Sequence, residues 1–281
     1  MNISIIGLGL IGGSLALDFK MLGHRVVGVD NNPFHQREAL DLGLVEQCLP
    51  LEQAVSASDI VVVAVPVGSM PAIIKEALKH LPQEGVIFDV GSTKQQICKE
   101  LEGHPRRNRF VAAHPIAGTE YSGPSAAHSG LFFSKLGIIC DVEQSAPDAV
   151  NKVEDLFVQI GMELKRIGSE EHDKHLAYVS HISHLSSFTL GLTVLDIEKD
   201  ESSIFDMAGS GFASTVRLAK SSPEMWAPIM VENSKHLLEA LDSYIEILNQ
   251  FKKKILNNDE EGLKEMIKDA NRIRTVLERK N

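Results

Sequence analysis

Between Ile3 and Asp30 the chain spells out a strand, a glycine turn, a helix and a second strand, and no other stretch constrains the fold as much. Ile3, Ile5 and Ile6 make a short apolar run, Gly7, Gly9 and Gly12 follow as G-x-G-x-x-G, residues 14–22 have helical spacing, and "RVVGVD" ends in Asp30. In such a unit the first glycine permits the tight turn, the second lets a pyrophosphate approach the backbone, and the third lets helix and strand pack closely. The N–H groups that open the helix, at Leu10 and Ile11, and the positive end of its dipole are then offered to the phosphates. Asp30 stands 18 residues after the last glycine (30 − 12 = 18), near the roughly 20 expected of an acid that binds the adenosine ribose. A carboxylate there repels a 2′-phosphate, and Asn31, Asn32 and Pro33 include no arginine to hold one. NAD is therefore expected over NADP. The bland alternatives are a structural glycine turn and an aspartate that caps the next helix.

The alternation continues along the chain. "DIVVVAV" (residues 59–65) and "GVIFDVGS" (residues 85–92) are unbroken apolar runs of the kind found in parallel strands covered on both faces. Residues 69–81 between them have helical spacing. Residues 109–113, 135–141 and 162–168 read as further strands, and residues 146–161 as a helix. The expectation is α/β: an N-terminal Rossmann-type doubly wound domain over residues 1–168. After "GSEEHD" (residues 168–173) no β-rich run recurs. Residues 172–195, 223–259 and 260–280 read as helices of an all-helical domain spanning residues 169–281. Their apolar stripes have little of their own domain to pack against, so a homodimer through the helical domain is expected.

Composition removes several function classes. Acidic residues outnumber basic ones, 38 to 28, with no long Lys/Arg run, so nucleic acid and anionic membrane are poor partners. Cys48, Cys98 and Cys140 are odd in number and widely spaced. They predict neither a disulfide framework nor a zinc site, and suit a reducing, cytoplasmic setting. The apolar start has no basic residue before it, so it is expected to be the first strand and not a secretion signal. No internal repeat or membrane-spanning run is evident.

The chemistry centres on "FVAAHPIAGTEYSGPSAA" (residues 110–127). In a doubly wound sheet the ligand crevice lies beyond the carboxyl ends of the strands. Three polar clusters stand at such ends: Asp30, "DVGSTK" (residues 89–94), and the segment that begins with His114. A histidine near its ordinary pKa takes a proton at neutral pH, and oxidising an alcohol with NAD needs such a base. Ala117 and Gly118 leave room for a substrate. The alternative for His114 is a histidine that packs and caps a loop.

At this point the sequence resembles the prephenate dehydrogenase family, which includes arogenate dehydrogenases. "GLGLIGGSLA", "DVGSTK", "HPIAGTE", "HDKHLAYVSHISH" and "GSGFASTVRLAKSSPEMW" carry the resemblance over nearly the whole chain. It implies that His114 is the catalytic histidine and that the Ser92 hydroxyl helps position it and the substrate alcohol. It further implies that Arg217 binds a substrate carboxylate, that His184 contacts the substrate side chain, and that Thr119, Glu120 and Trp226 line the site. The implied reaction is NAD-dependent oxidative decarboxylation of prephenate to 4-hydroxyphenylpyruvate, a step of tyrosine biosynthesis. His181 and His184 lie three apart, a spacing also seen in metal sites, but no cysteine or close carboxylate completes a ligand set, and no metal is expected.

Two departures from the family pattern fall in the substrate half: Ser183 where many members have proline, and Ala213 and Ser214 where many have a charged pair. With the sequence ending at Asn281, no appended mutase or regulatory domain is expected. Arogenate dehydrogenase is the nearest alternative. A β-hydroxyacid dehydrogenase would use a lysine as its acid–base group, with Lys220 and Lys235 as candidates. A non-enzymatic NAD-binding module would need the glycine loop and Asp30, but not His114, Ser92 and Arg217 together.

Overall fold

The computed structural model describes residues 1–119, 121–199, 201 and 203–278. The chain forms two compact units, Met1–Ser234 and Lys235–Asn281. The first is built on a seven-stranded sheet of order β2-β1-β3-β4-β5-β6-β7. Its strands are β1 (Asn2–Ile6), β2 (Arg25–Val29), β3 (Ile60–Val63), β4 (Val86–Asp89), β5 (Phe110–Pro115), β6 (Leu136–Cys140) and β7 (Glu163–Ile167). Every strand falls where the apolar runs predict one. The sheet is not parallel throughout, however. β1 to β5 run parallel, β6 lies antiparallel to β5, and β7 is parallel to β6.

The helices between β1 and β7 are α1 (Leu10–Met21), α2 (Pro33–Asp41), α3 (Leu51–Ser56), α4 (Met70–His80), α5 (Gln95–Leu101) and α6 (Pro147–Gln159). Pro33 and Pro147 open α2 and α6, where the missing N–H costs nothing and φ is already helical. Asn32 adds a side-chain cap, accepting the Phe34 N–H at 2.9 Å.

Alternate strand residues feed two cores, which explains the unbroken apolar runs. Ile60, Val62, Val86, Phe88, Val111 and Ala113 join Leu15, Phe19, Val153 and Phe157 on one face. Val61, Val63, Ile87, Phe110 and Ala112 join Ile74, Leu78, Ile97 and Leu101 on the other. A strand covered on both faces has no polar face to show. His114 alternates in step with Phe110 and Ala112, so it belongs to the face roofed by α4 and α5.

After β7 the first unit continues as α7 (Ser169–Leu176), a π-helical turn (Ala177–His181) and α8 (Ile182–Glu198), then α9 (Ser210–Thr215) and α10 (Pro223–Glu232). The expected helix over residues 172–195 thus forms, with one wide turn inside it. The expected helix over residues 223–259 instead breaks at Asn233, between α10 and α11 (Ser234–Leu256). The second unit consists of α11 with α12 (Glu260–Ala270) and α13 (Ile273–Glu278); residues 279–281 of the expected last helix lie outside the described residues. Ile245, Leu248, Ile255, Ile267, Ile273 and Leu277 on these helices are exposed. Among the described residues no helix is long and apolar enough to cross a membrane.

Candidate active site

The chain leaves β1 for β2 on one side and returns to β3 on the other, so the strand order reverses beside β1. Gly7 stands at that reversal with φ +95°, and a Cβ built on it would lie 2.4 Å from the Ala64 carbonyl oxygen. A Cβ on Gly12 would lie 1.9 Å from the Gly7 oxygen, whereas one on Gly9 would meet nothing within 4 Å. Gly7 and Gly12 are therefore required by the fold, while Gly9 keeps an open approach to the backbone. No side chain caps the start of α1, which leaves its first N–H groups, including those of Leu10 and Ile11, to a ligand. Asp30 follows β2, and its carboxylate accepts the N–H groups of Leu8 and Asn32 at 2.9 and 2.8 Å. Two of its roughly four lone-pair sites remain for ribose hydroxyls. These residues fit an NAD molecule laid across the reversal point.

His114 lies near the carboxyl end of β5 and is only 8% exposed. Its Nδ1 is 2.9 Å from His172 Nε2, and His172 Nδ1 is 2.7 Å from Asp173 Oδ1. Asp173 Oδ1 and Oδ2 also accept the backbone N–H groups of Lys94 and Gln95, at 2.7 and 2.8 Å, so α7 supplies the cap for α5. Fully buried Lys94 is paired with fully buried Asp89, whose other oxygen accepts the Ala113 N–H. The Asn233 amide donates to the Asp173 carbonyl at 2.7 Å and meets His181 Nδ1 at 3.0 Å. Thr93 donates to Glu232 at 2.6 Å, tying the turn after β4 to α10.

Burial pushes the pKa of His114 well below its ordinary value, helped by the neighbouring His172, Lys94 and His181. Burial also lowers His172, against the opposing pull of Asp173, and brings His181 down to about 4. All three imidazoles are thus neutral at pH 7.

A stability consequence follows. Below an unfolded-state pKa near 6.5 the unfolded chain binds protons that the folded one refuses, so stability is present above that pH and drains away below it. Each histidine adds a slope approaching about 1.4 kcal/mol per pH unit. Melting temperature recorded from pH 8 to pH 5 should hold down to about 6.5 and then fall; a flat profile would mean that the three are not buried as neutral groups.

The substrate-side residues gather partly around Trp226 on α10, which is buried. His184 stacks on its ring at 3.4 Å between centroids, and His181 meets it edge-on at 5.8 Å. Burial lowers His184 first, and the charge of nearby Arg217 adds to this, so Arg217 does share the neighbourhood of His184. Buried Nε atoms of Trp226 and His181 have no hydrogen-bond partner among the described residues. Thr119 is exposed and accepts the Tyr121 N–H; Glu120 lies outside the described residues. Ser92 is half-buried and makes no hydrogen bond to His114, whose imidazole partner is His172. Lys220 and Lys235 are both exposed. Among the described residues no group of His, Cys, Asp or Glu could hold a metal ion.

Residues missing from the expected site are therefore His172, Asp173, Lys94 and Asn233. "HD" and the lysine of "DVGSTK" were visible as polar residues beside apolar runs, but nothing local tells which of them a distant strand end will meet.

Two family descriptions match: the nucleotide-binding domain of prephenate dehydrogenase over residues 15–165, and its dimerization domain over residues 168–269. A cyclohexadienyl dehydrogenase of Zymomonas mobilis is 31% identical over 280 residues, covering 98% of this chain and 96% of its own length. A prephenate dehydrogenase of Bacillus subtilis is also 31% identical, with 98% of this chain and 76% of the relative covered. Among solved structures, a prephenate dehydrogenase from A. aeolicus in complex with hydroxyphenyl propionate and NAD+ superposes with a TM-score of 0.90 at 30% identity, covering 99% of this chain and 98% of the other.

Proposed function

Because the chain belongs to the prephenate dehydrogenase family and is an NAD-binding oxidoreductase, we propose that it oxidises and decarboxylates prephenate in preference to arogenate, with His114 as the base. The observation that carries this is a neutral, buried imidazole near the carboxyl end of β5, tied through Nδ1 and without a partner at Nε2 among the described residues. In this reading residues 1–168 bind NAD and residues 169–281 hold substrate and form a homodimer. The match to a dimerization domain and the exposed apolar side chains of α11 to α13 support the last point. Three free thiols favour a reducing, cytoplasmic setting.

Bound NAD+ supplies the hydride acceptor. His114 Nε2 takes the proton of the ring hydroxyl as its carbon gives up hydride, which leaves a ring ketone. The bond to the ring carboxylate then breaks, carbon dioxide departs, and the electron pair moves through the ring to the oxygen. His114 returns its proton to that oxygen, and the product is a phenol. No net proton is released. Arg217 holds a substrate carboxylate, where a planar guanidinium offers two parallel donors. Ser92 faces the substrate alcohol.

Preference for prephenate rests on the side chain that distinguishes the two substrates, a keto group against a protonated amine. The helix around His184 carries Ser183 and His181, whose Nδ1 meets the Asn233 amide and whose Nε2–H is left as a donor. It carries no acid between Ala177 and Thr193, and the Ser187 hydroxyl already donates to the Thr215 carbonyl. Donors suit a keto acid, whereas an amine needs an acceptor, and a mismatched polar contact costs about 1–3 kcal/mol. The test is NADH formation at limiting prephenate and at limiting arogenate, repeated with NADP+. Prephenate with NAD+ should give the highest kcat/KM, since Asp30 opposes a 2′-phosphate. A higher value for arogenate would overturn the substrate assignment, and equal use of NADP+ would overturn the role of Asp30.

A further inference from the structure

We propose that His172 and Asp173 are positioning residues that fix the tautomer of His114 and share the proton it takes from substrate. The inference rests on His114 being the base. It starts from hydrogen-bond bookkeeping along one buried line. Both carboxylate oxygens of Asp173 already accept backbone N–H groups, from Lys94 and Gln95. As an acceptor, the carboxylate requires the hydrogen of His172 to sit on Nδ1, 2.7 Å away. A neutral imidazole carries a single N–H, so His172 Nε2 presents a lone pair. His114 Nδ1, 2.9 Å from it, must then donate. The lone pair of His114 is left on Nε2, the nitrogen with no partner among the described residues. Asp173 thereby determines, two rings away, which nitrogen of His114 is basic.

The same line accommodates charge. When His114 Nε2 gains the substrate proton, the Nδ1 hydrogen can pass to His172 Nε2, which leaves His114 neutral and makes His172 the cation. His172 then lies against Asp173 and is entirely buried. The return of the proton to the phenolate reverses both transfers, so every hydrogen ends where it began. The other charged or titratable groups around the two rings are Lys94, Asp89 and His181. Lys94 and His181 oppose a cation there, and Lys94 is already neutralised by Asp89. Asp173 is left as the carboxylate in hydrogen-bond contact with the relay.

Four variants separate the outcomes: His172→Leu, His172→Gln, Asp173→Asn and His114→Asn. NAD binding is followed through the fluorescence of Trp226, the one tryptophan in the chain, and steady-state kinetics with prephenate are recorded from pH 5 to pH 9. His172→Leu and Asp173→Asn should lower kcat by about 100-fold, the scale of a base held in the wrong tautomer or lost, with KM and NAD binding within about threefold of the parent. The amide oxygen of His172→Gln can still accept from His114 Nδ1, so this variant should retain about tenfold more activity than His172→Leu. In Asp173→Asn the acid limb of kcat/KM should also move to lower pH, because the imidazolium loses its counter-charge.

Asp173 also caps α5, so Asp173→Asn could fail to fold; the His172 pair then decides alone. Equal activity of the leucine and glutamine variants, or an acid limb that stays in place while kcat falls, would reduce these residues to packing. If His114→Asn is inactive while His172→Leu turns over normally, the relay fails and His114 stands. If His114→Asn itself turns over normally, the assignment of the base fails.

Discussion

Replacing His114 by asparagine should lower kcat by about 100-fold or more while the protein stays folded and binds NAD. General-base catalysis contributes about 100- to 10,000-fold, and an asparagine amide offers no lone pair of comparable basicity. The side chain is nearly isosteric with part of the imidazole and can still donate an amide N–H to the His172 Nε2 lone pair, so the buried line is not left wholly empty. His114 is also one of three histidines whose burial penalises protonation, and its removal should make the stability profile slightly less steep below pH 6.5. Single-turnover kinetics with saturating NAD+ read the chemical step directly. Near-parental turnover in a folded variant would return His114 to a packing role.

Gly12→Ala should be the most damaging single methyl in the nucleotide-binding half. The added carbon would stand 1.9 Å from the Gly7 carbonyl oxygen and 2.9 Å from Ile5 Cγ2. The obstacle is backbone on one side and a fully buried side chain on the other, so neither can turn away. Overpacking of this kind costs about 1–3 kcal/mol and occasionally more, which corresponds to a drop of roughly 2–12 °C in Tm for a domain of this size, with NAD binding weakened because α1 is pushed off β1. Gly9→Ala is the informative partner. Its Cβ meets nothing and its φ of −73° suits alanine, so Tm should hold while NAD affinity falls about tenfold or more through the blocked pyrophosphate approach. Equal melting temperatures for the two variants would show that the close approach of α1 to the turn is not what Gly12 secures.

What the sequence revealed and what it concealed divide along physical lines. Strand positions were legible because a strand covered on both faces is apolar along almost its whole length, as residues 60–63 and 86–88 are. The reversed direction of β6 was not legible, since periodicity carries no sense of direction. That sense comes from the link after Pro115, which holds no long crossover helix among its described residues, and a parallel return needs one. The short helices α2, α3 and α5 went unnoticed for a related reason: six to nine residues are too few for a 3.6-residue period to emerge. His114 could be proposed from its place near the end of a strand. Its partner could not, because His172 lies 58 positions away and reaches it only through the packing of α7 on α5. The Ser92 hydroxyl, by contrast, was expected beside His114 only through the family resemblance; the hydrogen-bond partner at His114 Nδ1 is the imidazole of His172.

The π-helical turn at Ala177–His181 has an effect on angular phase along the α7–α8 rod. A regular α-helix advances about 100° per residue, so twelve steps from His172 to His184 would leave the two imidazoles about 120° apart around the axis. A wide turn absorbs one residue without that advance, and the remaining eleven steps bring the pair back to within about 20° of each other. One surplus residue thus converts a rod whose two histidines would diverge into one that presents both on a common side, His172 toward the strand end and His184 onto Trp226. The segment should therefore tolerate changes of identity far better than changes of length. Deleting any single residue between Ala177 and His181 would keep every side chain of the site in the protein, yet turn half of them away from the other half.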